Sequence, residues 1–298
     1  MSMGADHEEV TIGPWRRVAI LQSGQNSEIW QVADSATLRQ NCVMKLLLPQ
    51  HEHNAAHRVS LKREYAIGKR LEHPRIIRTI SFGRDRKILY ILLEHYVSRN
   101  IKLRMMKKAF DLELKPQLRS ILNQTADALD YLHGKGWVHR DVKPDNLLLD
   151  AAGNVKLIDF ALCQPIAGGF RRFFARRGAT AGTRSYMSPE QIRGLPLSGQ
   201  ADVYSLGITI HEMVSGKLPF VGRTGDDLLR KHLTDLPPSL DPARKPTAEF
   251  NALVLKMLAK KEKDRISGMA EFRDRLQSIR LFEDDAAEER AGTARNQA

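Results

Sequence analysis

His139-Arg-Asp-Val-Lys-Pro-Asp-Asn146 is the stretch on which the reading of this chain turns. Taken alone it is a polar loop. Its surroundings make it more than that. Upstream, Pro116 opens an amphipathic helix whose apolar positions Leu118, Ile121, Leu122, Leu129 and Leu132 keep the helical period, and Gly134 closes it. Downstream, an Ala-Gly turn leads into a short strand at Asn154–Ile158. The polar octet is therefore held between two regular elements.

Further out, the chain divides by composition. Short β-type runs at Val18–Leu21, Ile29–Ala33, Cys42–Leu47 and Ile88–Leu93 are broken by turn residues, with one helix expected over about Ala56–Leu71. After Glu94–Ser98 the pattern becomes mostly helical, including Ala201–Ser215 and Phe250–Leu258. Residues 1–14 read as a flexible N-terminus and 282–298 as a polar, disordered tail. The core domain then runs over 15–281, with a β-rich part at about 15–95 and a helical part at about 96–281.

Length and composition narrow the class. With 298 residues and 42% hydrophobic content the chain can bury a large core. Two cysteines exclude a disulfide framework and point to a reducing, cytoplasmic compartment. No stretch reaches the ~18 apolar residues of a membrane span. The charge is +12, from 47 Lys+Arg against 35 Asp+Glu. Its clusters at Lys102–Lys108 and Arg171–Arg177 lack the form of a nucleic-acid module, so no nucleic-acid partner is expected.

The octet resembles the catalytic loop of eukaryotic-type serine/threonine protein kinases, in particular their bacterial branch. The resemblance implies an α+β, two-lobed protein-kinase fold, with a small β-rich lobe carrying one main helix and a larger helical lobe. It implies ATP and Mg2+ (or Mn2+) as cofactors, and roles for individual residues. Asp141 would accept the proton of a substrate hydroxyl, Lys143 would touch the transferred phosphate, and Asn146 would offer an amide oxygen to the metal. Asp159-Phe-Ala161, eighteen residues after Asp141, is similar to the family's Asp-Phe-Gly, whose Asp binds metal. Cys42-Val-Met-Lys45 and Glu64 are similar to the Lys–Glu pair that holds the ATP phosphates.

By the same resemblance Leu21, Gly24 and Ile29 belong to the phosphate-covering loop. ATP would lie between the lobes, its adenine on the backbone of Glu94 and Tyr96 and its walls formed by Ile29, Val43 and Leu148. Thr183 would stand beside Asp141, Glu190 would pair with Arg265, and Asp202 would anchor the catalytic loop. Thr180 would be a regulatory phosphate acceptor, received by Arg140. The chain departs from the family at Gln22, Ser27, Gly68 and Ala161. Gly68, read as helix-interior, costs ~1 kcal/mol relative to Ala. These departures keep a pseudokinase alternative open. A kinase-fold enzyme acting on a small-molecule hydroxyl is a third reading, disfavoured by Gly182–Glu190, which resembles a peptide-binding shelf. The two basic clusters suggest protein substrates that are acidic around the target residue.

Overall fold

The computed structural model describes residues 11–37, 42–51, 53–106, 110–166 and 183–285. They form two compact units, one of residues 1–97 with 159–162 and one of 98–158 with 163–298.

The first unit is a six-stranded antiparallel sheet plus one helix. Its strands are β1 (Thr11–Ile12), β2 (Trp15–Ser23), β3 (Ser27–Asp34), β4 (Cys42–Leu47), β5 (Thr79–Asp85) and β6 (Ile88–Glu94), in the order β1-β2-β3-β4-β6-β5, and the helix is α1 (Ala55–Gly68). Side chains alternate faces along a strand, so β4 and β6 each feed two cores. Cys42, Met44, Leu46, Tyr90 and Leu92 pack with Ile12 and Val32 on one face. Leu47, Leu89 and Ile91 pack with Leu61 of α1 on the other. Asn54 starts α1, its side chain accepting from the N–H groups of Ala56 and His57 at 3.0 and 3.3 Å.

Two expectations about the chain ends change. Ile12 is 1% exposed and β1 pairs with Trp15 and Arg16, so Thr11–Pro14 are part of the fold. Buried Ile12, the Gly13 N–H donating to Asp85 and the Pro14 carbonyl accepting from the Ser35 N–H fix them, contacts too few for a pattern to reveal. At the other end Phe282 is 1% exposed and bridges Pro246, and the N–H groups of Leu281 and Phe282 donate to Asp285. Packing thus continues to residue 285, four residues beyond the expected boundary.

The helix α1 ends at Gly68 rather than continuing to Leu71. A Cβ at Gly68 would lie 2.2 Å from Thr79 Oγ1 and 3.6 Å from Phe160. The position is therefore a close approach between α1, β5 and Phe160, and Thr79 fills the space that a side chain would need. Gly68→Ala should lower stability by ~1–3 kcal/mol through overpacking, in spite of alanine's better helix propensity. Adding Thr79→Ala should recover most of the loss. An unchanged or raised thermal midpoint in the single variant would overturn this reading.

The second unit contains β7 (Arg99–Asn100), α2 (Ile101–Met106), α3 (Leu118–Gly134), β8 (Trp137–Val138), β9 (Leu147–Leu149), β10 (Val155–Leu157), β11 (Gln164–Pro165), α4 (Pro189–Ile192), α5 (Gln200–Ser215), α6 (Gly225–Thr234), α7 (Ala248–Met257) and α8 (Met269–Ser278). Every α5 residue from Ala201 to Val214 is buried, which makes it the central helix of this unit. α3 turns Leu118, Ile121, Leu122, Leu129 and Leu132 inward. Small sheets β10-β9-β7 and β11-β8 frame the segment between α3 and residue 166.

An aromatic cluster fills the space beside α5. His232 Nδ1 lies 3.0 Å from the Tyr204 hydroxyl, and its ring is 5.0 Å from that of Phe220. Burial, with the charge of Lys260 adding to it, pulls the His232 pKa down from 6.5 to about 4. Burial lowers His211 as well. The unfolded chain therefore binds protons that the folded chain refuses. This contribution is complete above about pH 6.5 and is lost as the pH falls toward 4, by up to about 3 kcal/mol for His232. Thermal midpoints across that range should fall less steeply in His232→Gln than in the wild type; parallel curves would exclude the assignment.

Candidate functional site

In the first unit β4 carries Lys45 to the sheet face covered by α1. Strand register sets Ile29 opposite Lys45 and Gln31 opposite Val43, so Ile29, Val43 and Lys45 share that face. Lys45 Nζ donates to both oxygens of Glu64, at 2.9 and 2.8 Å, and lies 3.4 Å from Asp159 Oδ1. Burial works against the ammonium charge, but Asp159 and Glu64 outweigh it and hold the Lys45 pKa above its usual value. Glu64 is pushed up to about 7, by burial first and by the neighbouring Asp159, against the pull of Lys45.

Asp159 adopts φ +68°, a left-handed conformation that aspartate tolerates better than most residues. Its Oδ1 accepts the Ala161 N–H at 3.2 Å, closing a local turn. Ala161 is not among the positive-φ residues, so the family's glycine is not needed for this conformation. Gly24 N–H donates to the Ser27 carbonyl at 2.9 Å, which makes residues 24–27 a tight turn. Leu21 is half exposed to solvent. The Glu94 N–H is taken by the Arg78 carbonyl at 3.0 Å, and its side chain accepts from the Arg78 N–H. Tyr96 follows in an irregular, half-buried stretch.

In the second unit the octet forms a tightly bonded turn. Asp141 Oδ2 accepts from Lys143 Nζ at 2.7 Å and from Asn146 Nδ2 at 2.9 Å. Asp141 Oδ1 is buried with no hydrogen-bond partner among the described residues. The Asn146 amide nitrogen also donates to the Asp141 carbonyl at 2.8 Å, which turns its Oδ1 away from Asp141. Leu148 follows on β9, half buried.

Asp202, from the first turn of α5, holds this turn from below. It accepts the N–H groups of His139 and Arg140 at 2.8 and 2.9 Å, and lies 2.8 Å from His133 Nε2. Burial alone would raise its pKa, but the His133 hydrogen bond and the nearby His133 and His139 hold it below the usual carboxylate range. Arg140 sits at φ +71°, a conformation that costs a residue with a Cβ about 1–2 kcal/mol. It is fixed there by Asp202 on its N–H and by Gln191, whose amide donates to its carbonyl at 3.1 Å.

Glu190 and Arg265 form a bidentate pair at 2.8 and 2.9 Å, both buried. Thr183 opens a short 3-10 turn that ends at Tyr186. Thr180, Lys107, Lys108 and the Arg171–Arg177 run lie outside the described residues. The rest of the Lys102–Lys108 cluster is partly committed. Lys102 is ion-paired to Glu212, and Arg104 donates to the Leu149 carbonyl at 2.9 Å.

Sequence reasoning missed His133, Gln191, Glu212 and Gly199. His133 at the end of α3 was readable as a polar residue on an apolar helix. It fits only because Gly199 has no Cβ, which would lie 2.7 Å from the imidazole. Gln191 was readable as the third residue of a Ser188 capping box.

A match to the protein kinase domain spans residues 15–277. The chain is 31% identical over 228 residues to serine/threonine-protein kinase pkn3 of Myxococcus xanthus, covering 73% of this chain and 41% of that protein. It is 29% identical over 256 residues to PknD of Mycobacterium tuberculosis, covering 85% and 38%. It therefore spans about two fifths of the length of these relatives. The solved kinase domain of Mycobacterium tuberculosis PknI superposes with a TM-score of 0.67 at 25% identity, over 93% of this chain and 99% of that one. With this family match over nearly its whole length, the chain belongs to the protein kinase domain family.

Proposed function

We propose that this protein transfers the γ-phosphoryl group of ATP to serine or threonine hydroxyls of protein substrates. The observation that carries the proposal is the Asp141 carboxylate. One oxygen is fixed by Lys143 and Asn146, and the other is buried without a partner among the described residues. That is the arrangement of a base waiting for a hydroxyl.

Lys45, oriented by Glu64, is the cation we assign to the ATP phosphates. Ile29 and Val43, on the same sheet face, suit the adenine, for which we assign Glu94, Tyr96 and Leu148 as further contacts, and Leu21 and Gly24 belong to the loop we assign to the phosphates. Asn146 and Asp159 are oxygen donors of the kind a hard divalent cation takes. Mg2+ or Mn2+ would supply charge neutralisation along the phosphates. Lys143 then stands beside Asp141 to steady the transferring group. The departures at Gly68 and Ala161 leave the Lys45–Glu64–Asp159 set intact, which speaks against the pseudokinase alternative.

No helix among the described residues is long and apolar enough to cross a membrane. The two buried, unbridged cysteines, Cys42 and Cys163, suit a cytoplasmic setting. A preference for acidic substrates would rest mainly on Lys107, Lys108 and Arg171–Arg177. The test is incubation with ATP labelled at the γ-phosphate, a generic protein substrate and Mg2+ or Mn2+. Label on substrate serine or threonine is expected, with autophosphorylation at Thr180. No incorporation with either metal, or label on added small hydroxylated compounds only, would overturn the proposal.

A further inference from the structure

Glu212, within α5, has a side chain only 5% exposed, and both of its oxygens are engaged. One takes the ion pair from Lys102 of α2. The other accepts the Tyr186 hydroxyl at 2.5 Å. The Tyr186 carbonyl accepts in turn from Ser205 Oγ of α5 at 2.8 Å. A buried carboxylate requires a compensating cation. Here that cation stands at the surface, since the Lys102 side chain is 35% exposed. A fixed negative charge therefore lies beneath a movable positive one.

This node adjoins the catalytic turn: Thr209, one turn before Glu212 on α5, donates to the Val142 carbonyl at 3.2 Å, and α2, which carries Lys102, packs against residues 144–146. Burial raises the Tyr186 pKa far above its ordinary value, Glu212 adds to the shift, and Asp145 and Asp141 contribute as well. The second unit thus brings Asp141, Asp145 and Glu212 into one acidic neighbourhood. Its cations in direct contact are Lys143 on Asp141 and Lys102 on Glu212. An extended peptide advances about 3.3 Å per residue. Side chains flanking a hydroxyl held at Asp141 would therefore meet this neighbourhood.

We propose that Lys102 is a specificity-determining residue: a built-in counter-ion that occupies Glu212 and denies it to basic side chains near the target hydroxyl. The proposal rests on the protein-kinase reading given above and names the chemistry that its substrate site selects against. It also gives each partner of the pair an opposite effect. Without Lys102, Glu212 becomes available to a substrate Arg or Lys. Without the Glu212 charge, Lys102 becomes available to a substrate Asp or Glu.

The experiment uses the full chain and serine peptides flanked by alanine, with Arg, Ala or Glu scanned through the flanking positions. Transfer to the all-alanine peptide by the wild type tests the kinase reading separately. Lys102→Met should raise the Arg-over-Glu ratio of kcat/KM at one or two positions by about tenfold. Glu212→Gln should lower it at the same positions, and Lys102→Arg should keep the wild-type ratio. Should Lys102→Met fail to fold, Glu212→Gln and the double variant Lys102→Met/Glu212→Gln decide the matter, because neither leaves a buried charge unpaired. A wild-type ratio in Glu212→Gln, or shifts of the same sign in both single variants, would overturn the proposal.

Discussion

Asp141→Asn should lower kcat by about 10²–10⁴-fold, while leaving the thermal midpoint within a few degrees of the wild type. The two halves of this expectation have separate causes. Asparagine keeps the size of the side chain and an oxygen for Lys143 and Asn146, which reach Asp141 at 2.7 and 2.9 Å. The turn itself is fixed by backbone bonds to Asp202, which the substitution does not touch. What is lost is proton affinity at an oxygen that makes no structural bond among the described residues. Steady-state transfer to a protein substrate gives the rate, and calorimetry gives the midpoint. Wild-type turnover would remove Asp141 from the mechanism. A collapse of the midpoint would mean that its role is structural.

Glu190→Gln should destabilise the protein by about 3–5 kcal/mol, a loss of roughly 10 °C or more in thermal midpoint. Arg265 is fully buried at its side chain and is shared among the Glu190 carboxylate and the carbonyls of Gln200 and Ala259. It also lies over the Tyr204 ring, 5.0 Å from its centre. A neutral amide at 190 leaves that buried guanidinium without its counter-charge. Replacing both partners with apolar residues, as in Glu190→Leu/Arg265→Met, should recover much of the loss because no buried charge remains. Urea unfolding of the two variants beside the wild type reads these differences. A double variant no more stable than Glu190→Gln would contradict the account.

The parts of the fold that were legible in the sequence are those carried by contiguous residues or by strong periodicity. Strand β4 and helix α3 announce themselves by their apolar pattern. The turn around Asp141 is compressed into eight residues. Lys45 and Glu64 could be paired on paper through the family resemblance, each sitting on an element of the type it requires. The protein kinase domain match and the PknI likeness then agree with the fold class read from these pieces. What stayed hidden depends on long-range packing. Lys102 and Glu212 are 110 residues apart, and nothing local marks either as the other's partner. Gly68 looked like a weak point in a helix, whereas it is the last helical residue and a point of closest approach to Thr79. Ile12 and Phe282 lie in stretches of polar composition and are held by individual contacts, which composition averages away.

The bonds from Asp202 to the His139 and Arg140 N–H groups also have a consequence for how the protein breathes. Neither of those amides belongs to a helix or strand, and loop amides ordinarily exchange their hydrogens with solvent through small local openings. Here the acceptor is a fully buried carboxylate on the central helix of the unit. Releasing either hydrogen would take one of three bonds from that buried charge, which reaches solvent only if α5 itself comes apart. The two amides should therefore exchange with deuterium on the slow timescale of the α5 backbone, orders of magnitude behind other loop positions. The turn around Asp141 would then lose its shape only when the whole unit unfolds, and any loss of phosphoryl transfer on heating would track global melting instead of preceding it.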